Sequence, residues 1–265
     1  MEIYLVDAFT AVPYRGNPAA VCVLERNQPE SWMQQVANEM HASETAFLLK
    51  EGDGYSLRWF TPVEEVDLCG HATLASAHLL WEERFFAGQE LRFYTKSGVL
   101  TAVRDGEWID LDFPLEPQAE CKPPDELVQG LDIPYSYIGK NRLDYLVEVE
   151  HEEALHALQP NLILWKQVPS RGVIVTSASS RPGVDFVSRC FYPALGVDED
   201  PVTGSAHCGL GPYWMNKLGK RDLVAEQLSA RGGQLRLSVQ EERIRISGQA
   251  VTTMKGRLMG FKATT

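Results

Sequence analysis

Two glycine-led segments carry the first chemical signal in this chain: Gly70-His71 and Gly204-Ser205 each follow an acidic loop and open a long apolar run. A helix that starts at such a glycine presents unpaired N–H groups and a partial positive charge, and glycine lets a ligand come close to the backbone. The pair reads as two anion-binding helix ends, with a carboxylate as a natural occupant. Ordinary capping is the alternative, by Asp67 at the first end and by Asp200 or Thr203 at the second. Occurrence in duplicated positions favours binding.

Cys69, His71, His207 and Cys208 are the right residue types for zinc. Their Cys-x-His and His-Cys spacings match no finger pattern, so no metal is expected. His78 and His207 read as rim or packing residues. Neither G-x-G-x-x-G nor G-x-x-x-x-G-K-[ST] occurs, which disfavours a dinucleotide or P-loop enzyme.

The elements that must position these residues are mostly strands. Short runs rich in Val, Ile, Phe and Tyr, such as 2–8, 19–24, 44–49, 55–60, 172–177 and 184–191, are bounded by Gly, Asp or Pro. Helices are predicted over 29–40, 70–84, 123–130, 151–158 and 204–218. The helices 70–84 and 204–218 are apolar nearly all round, which predicts burial on every side. Four prolines between Phe113 and Pro124 mark a linker.

An internal repeat orders these pieces. Arg58, Phe60 and Pro62 match Arg189, Phe191 and Pro193 at one constant offset, which Val66-Asp67 and Val197-Asp198 continue. After three extra residues, Cys69-Gly70-His71-Ala72 aligns with Thr203-Gly204-Ser205-Ala206. Two halves are therefore expected, 1–114 and 115–265, each a curled sheet around a central helix. The C-terminal segment 256–261 is a candidate closing strand for the first half.

The net charge of −11 repels phosphate backbones and argues against a nucleic-acid partner. Five cysteines at irregular spacing suit reduced thiols in a cytoplasm. The acidic opening, Met1 to Asp7, reads as a strand rather than a signal peptide, and no stretch has the length of a membrane helix.

Four segments, Gly16-Asn17-Pro18-Ala19-Ala20-Val21, Ser43-Glu44-Thr45-Ala46-Phe47, Asp67-Leu68-Cys69-Gly70-His71-Ala72-Thr73 and Glu199-Asp200-Pro201-Val202-Thr203-Gly204-Ser205-Ala206-His207, resemble the PhzF-like family of phenazine biosynthesis. The resemblance implies an α+β protein of the diaminopimelate epimerase fold: two similar lobes, each a barrel-like sheet around a central helix, with the active site between them. It also implies a homodimer and a cofactor-independent isomerase acting on a small carboxylate-bearing substrate. In the phenazine enzyme that substrate is trans-2,3-dihydro-3-hydroxyanthranilate. Glu44 is the implied proton shuttle, His71 and Asp200 its catalytic helpers, and Gly70, Gly204 and Ser205 substrate-binding residues.

A carboxyl at a dry strand end can have its pKa raised toward neutral, which suits Glu44 to that role. A histidine at a helix N-terminus tends to be neutral, which is the expectation for His71. Two rivals stand beside this reading. A cysteine epimerase would use Cys69, but the repeat puts Thr203 where its partner thiol belongs. A pure binding protein would need no proton shuttle.

Overall fold

The computed structural model describes residues 1–259, and the chain divides into two compact units: Met1–Asp112 with the chain from Ser247 onward, and Phe113–Ile246. The expected second half, 115–265, thus loses its last strand, Ala250–Arg257, which pairs antiparallel with Glu2–Ala8 of the first unit. Gly260 and Phe261 of the candidate closing segment lie outside the described residues.

In the first unit, β1 (Glu2–Ala8) pairs antiparallel with β2 (Asn17–Leu24). After helix α1 (Glu30–Met40), β3 (Glu44–Glu51) lies parallel to β2. Next, β4 (Gly54–Phe60) folds back on β3 and takes the short β5 (Glu65–Val66) on its end. Helix α2 (Gly70–Glu82) crosses to β6 (Glu90–Thr95), which is parallel to β4, and β7 (Gly98–Asp105) and β8 (Trp108–Pro114) continue as a meander.

The second unit repeats this order. After β9 (Ala119–Glu120) and α3 (Asp125–Leu131), β10 (Tyr137–Lys140) pairs antiparallel with β11 (Asp144–Glu148). Two short helices, α4 (Glu152–Ala157) and α5 (Leu162–Trp165), precede β12 (Gly172–Ala178), which is parallel to β11. The next strand, β13 (Phe186–Tyr192), folds back on β12 and carries β14 (Val197–Asp200). Helix α6 (Gly204–Leu218) then leads to β15 (Asp222–Gln227), parallel to β13, and β16 (Gly233–Val239). Each unit therefore follows a parallel pair with two antiparallel returns, a long helix, and a strand parallel to the first return. β17 (Arg243–Gly248) and β18 (Ala250–Arg257) complete the chain.

Side-chain geometry repeats as well. Arg58 grips Glu65 through Nε and Nη2, both at 2.7 Å, and Arg189 grips Glu199 at 2.7 and 2.9 Å. The two guanidinium carbons lie 5.2 Å from the Phe60 ring and 5.0 Å from the Phe191 ring. Such bidentate pairs are planar and directional, so they pin each return strand to its acidic loop.

Both long helices are buried along most of their length, as their all-round apolar character requires. Leu74 and Leu79 of α2 are wholly buried, and each such side chain contributes about 1.5–3 kcal/mol of burial. The polar side chains on α2 are satisfied internally: the hydroxyl of Thr73 donates to Cys69 O at 2.5 Å, and that of Ser76 to Ala72 O at 2.7 Å. α2 ends at Glu82, short of the expected 84, because Arg84 takes φ 59° and Phe86 N turns back to Leu80 O. In α6, Pro212 has no N–H for the carbonyl of Cys208. Glu116 N donates to that carbonyl instead, at 3.0 Å. The proline-marked linker is thereby tied to its own unit's helix.

Candidate active site

The first set of functional residues is built from three element ends of one unit. Gly16 has φ +64°, and a Cβ there would meet Ala8 O at 2.1 Å, so only glycine makes the turn that starts β2 at Asn17. The chain leaves α1 through His41 in the left-handed region, φ 49°, and begins β3 at Glu44. The parallel register sets Glu44 opposite Ala19, two residues past Asn17. Cys69 is the N-cap of α2 in an extended conformation, with its thiol making no capping bond, and Gly70 and His71 form the first turn.

These ends converge. His71 Nε2 is 3.0 Å from Glu44 Oε2, and His71 Nδ1 is 3.3 Å from Asn17 Nδ2. Ser43 Oγ donates to Asn17 Oδ1 at 3.4 Å. His71 and Cys69 are buried, and Glu44 Oε2 is buried without a well-aligned hydrogen bond. Burial alone would raise Glu44, the direction expected from its strand end. The charge of His71 reverses this and holds the carboxyl below its ordinary value. Burial opposes the imidazolium of His71, but the facing carboxylate of Glu44 and the hydrogen bond of Cys69 favour it and raise it above its ordinary value. The expectation of a neutral His71 is thus corrected: a facing carboxylate, at contact distance in a dry site, overrides the helix dipole.

Cys69 Sγ is 3.5 Å from His71 Nδ1 and 4.0 Å from Nε2. Burial, and then the charge of Glu44, raise its pKa, so at neutral pH it is a thiol. Glu44, Cys69 and His71 each bring a ligand atom within 4.8 Å of the others. His71 Nε2 faces the carboxylate at 3.0 Å and the thiol at 4.0 Å, so the three groups are placed to exchange protons. His207, from the zinc alternative, sits in the second unit, where Nδ1 donates to Thr203 O at 2.8 Å and the ring packs on Phe186. Burial pushes its pKa down to about 4, which makes it a neutral packing residue.

The second unit gathers Asp200, Gly204 and Ser205. The Thr203 hydroxyl donates to Asp200 Oδ2, Thr203 N donates to Gln227 Oε1 at 2.9 Å, and Gln227 Nε2 donates to Asp200 O at 2.7 Å. Ser205 Oγ accepts from Arg171 Nη1 at 3.0 Å, and Arg171 is clasped by Asp144 through Nε at 2.9 Å and through Nη2. Asn17 belongs to one of the family-like segments but has no role assigned there, and Asp144, Arg171 and Gln227 stand in none of them. A charge heading an apolar strand, as in Asp144-Tyr145-Leu146-Val147, was a usable sign, because a buried carboxylate needs a partner.

The Glu44–His71 pair has a signature in stability. A raised His71 adds stability that is fully present below its ordinary value of 6.5 and lost as pH rises through its higher folded pKa. A lowered Glu44 adds stability present above 4.5 and lost as pH falls through its lower folded pKa. The stability that wild type has over His71→Gln is therefore expected to be largest near pH 4.5–6.5. Urea unfolding at pH 5.5 and pH 9 checks this, and a difference that grows with pH would refute the pairing.

The duplicated units, each with a buried helix and a polar cluster at its N-terminal end, define the diaminopimelate epimerase-like fold. A predicted epimerase from Pseudomonas aeruginosa shares it with a TM-score of 0.73 at 22% identity, covering 98% of this chain and 99% of that one. The family model for phenazine biosynthesis-like proteins matches residues 6–256, and the chain belongs to that family. It is 58% identical over 259 residues to an uncharacterized isomerase of Halalkalibacterium halodurans, covering 97% of this chain and 98% of the relative. A crystal structure of a PhzF-family phenazine biosynthesis protein from Enterococcus faecalis matches with a TM-score of 0.93 and 42% identity, covering 96% and 97%. Among the described residues, no helix is long and apolar enough to cross a membrane.

Proposed function

We propose that this chain is a cofactor-independent isomerase that shifts a proton on a small carboxylate-bearing substrate. Glu44 is the proton shuttle, His71 and Asp200 assist it, and Gly70, Gly204 and Ser205 bind the substrate. The observation that carries this reading is the buried contact between Glu44 and His71. A carboxylate and an imidazole sharing protons in a dry site can take one from carbon and return it elsewhere without a cofactor. The isomerase names of several relatives support the class.

A cysteine-based epimerase is less well supported. A thiol base must be a thiolate, and Cys69 is pushed the other way. Cys208, burial having raised it to about 12, is no better a base.

The test is solvent isotope exchange. Incubated in D2O with trans-2,3-dihydro-3-hydroxyanthranilate or related cyclic carboxylates, the protein is expected to place deuterium at one carbon of an accepted compound, read by NMR. Binding without any exchange would leave a binding protein instead.

A further inference from the structure

The duplicated registers allow the two helix-end clusters to be compared residue by residue. In the first unit Phe47 lies opposite Arg58, which puts Glu44 three residues before it on β3. In the second unit Val175 lies opposite Arg189, and three residues before it stands Gly172. Gly172 is therefore the counterpart of Glu44, Arg171 that of Ser43, and Ser205 that of His71. The parallel neighbours opposite Glu44 and Gly172 are Ala19 and Asp144.

The second unit cannot carry a glutamate at that position. A Cβ on Gly172 would meet Tyr192 Cδ1 at 2.2 Å and Phe191 O at 2.6 Å. Its carboxylate comes from the adjoining strand instead, as Asp144, which is 1% exposed. It is paired with a guanidinium rather than an imidazole, and that guanidinium lies 5.2 Å from the Tyr192 ring. One unit thus has a pair that titrates. In the other the cation does not, because arginine keeps its proton throughout the usable pH range.

This difference decides what Ser205 can do. A serine hydroxyl has one hydrogen to donate and two lone pairs to accept with, while a guanidinium only donates. Ser205 Oγ accepts from Arg171 Nη1, so the serine hydrogen is directed elsewhere. We propose that Arg171, held by Asp144, is a positioning residue that fixes the Ser205 hydroxyl as a donor to the substrate carboxylate. The second unit is then the anion-holding counterpart of the proton-transferring first unit. The inference rests on the reading above, in which Ser205 binds the substrate.

Benzoate and its neutral isostere benzamide are the probes, with binding measured by calorimetry on the full chain. The unaltered protein is expected to prefer benzoate. Ser205→Ala should weaken benzoate by roughly tenfold or more, the scale of one hydrogen bond to a charged group, and leave benzamide unchanged. Arg171→Met combined with Asp144→Asn, so that no buried carboxylate is stranded, should cause the same selective loss. Adding Ser205→Ala to that pair should cost nothing further. A second measurement needs no variant: the Arg171 Nε–H signal of the unaltered protein should shift with benzoate and not with benzamide.

Losses that add in full, or an Arg171 signal indifferent to benzoate, overturn the inference and leave Ser205 as a binding residue in its own right. A Ser205→Ala variant that binds benzoate normally, or an unaltered protein without a benzoate preference, overturns the substrate-binding role of Ser205 and the inference with it.

Discussion

Glu44→Gln is expected to abolish turnover while leaving the fold and substrate binding nearly intact. Glutamine matches glutamate in shape and reach but cannot carry the proton, and it still offers an oxygen to His71 Nε2, now 3.0 Å from the carboxylate. Loss of general acid–base catalysis costs on the order of 10²–10⁴-fold, and more when one group serves both half-steps. Turnover of an accepted substrate and deuterium exchange into it should fall together. Cys69→Ala is the paired control. The thiol is buried and raised in pKa, so its loss should cost less than tenfold, about the weight of one weak contact beside His71. An active Glu44→Gln protein beside an inactive Cys69→Ala protein would exchange this mechanism for the cysteine one.

Gly16→Ala is expected to produce the largest loss of stability among single-methyl changes near the site. The residue has φ +64°, and the new Cβ would stand 2.1 Å from Ala8 O, a backbone atom that cannot swing aside. A non-glycine residue held in the left-handed region costs about 1–3 kcal/mol, and forcing a methyl into packed structure costs roughly 1–3 kcal/mol more. A fall in Tm of several degrees follows for a chain of this size. Relief of the clash would move Asn17, and His71 with it, since Asn17 Nδ2 lies 3.3 Å from His71 Nδ1. The His71 NMR titration should therefore shift in the same variant. Unchanged melting would mean that the turn before β2 is looser than its geometry implies.

Much of the architecture was legible in residue patterns because duplication writes itself twice. The matched Arg58/Arg189 and Gly70/Gly204 positions pointed to two units with two buried helices, and α2 and α6 start at those glycines. Strands with weak signals were missed. Asp222–Gln227 mixes Ala, Glu and Gln and shows only a one-sided burial pattern. Ala250–Arg257 is largely half-buried or exposed and is held by β1, more than two hundred residues away in sequence; the candidate closing strand 256–261 has the right partner unit but overlaps only its last two residues.

The site divides along the same line. Residue order alone reveals which side chains stand at the helix ends and strand starts: Glu44 after a helix, Cys69-Gly70-His71 at one helix start and Gly204-Ser205 at the other. Those identities follow from motif and local geometry, which adjacent residues encode. The partners, and the direction in which each group's pKa moves, come from the folded arrangement. Glu44 was expected to be raised and His71 neutral, and their contact reverses both. Arg171 reaches Ser205 across thirty-four positions of sequence, and Gly172 excludes a second glutamate only because the Tyr192 ring fills its space. A pKa and a hydrogen-bond role depend on what lies within a few ångströms, and those distances are set by strand register and packing rather than by neighbours along the chain.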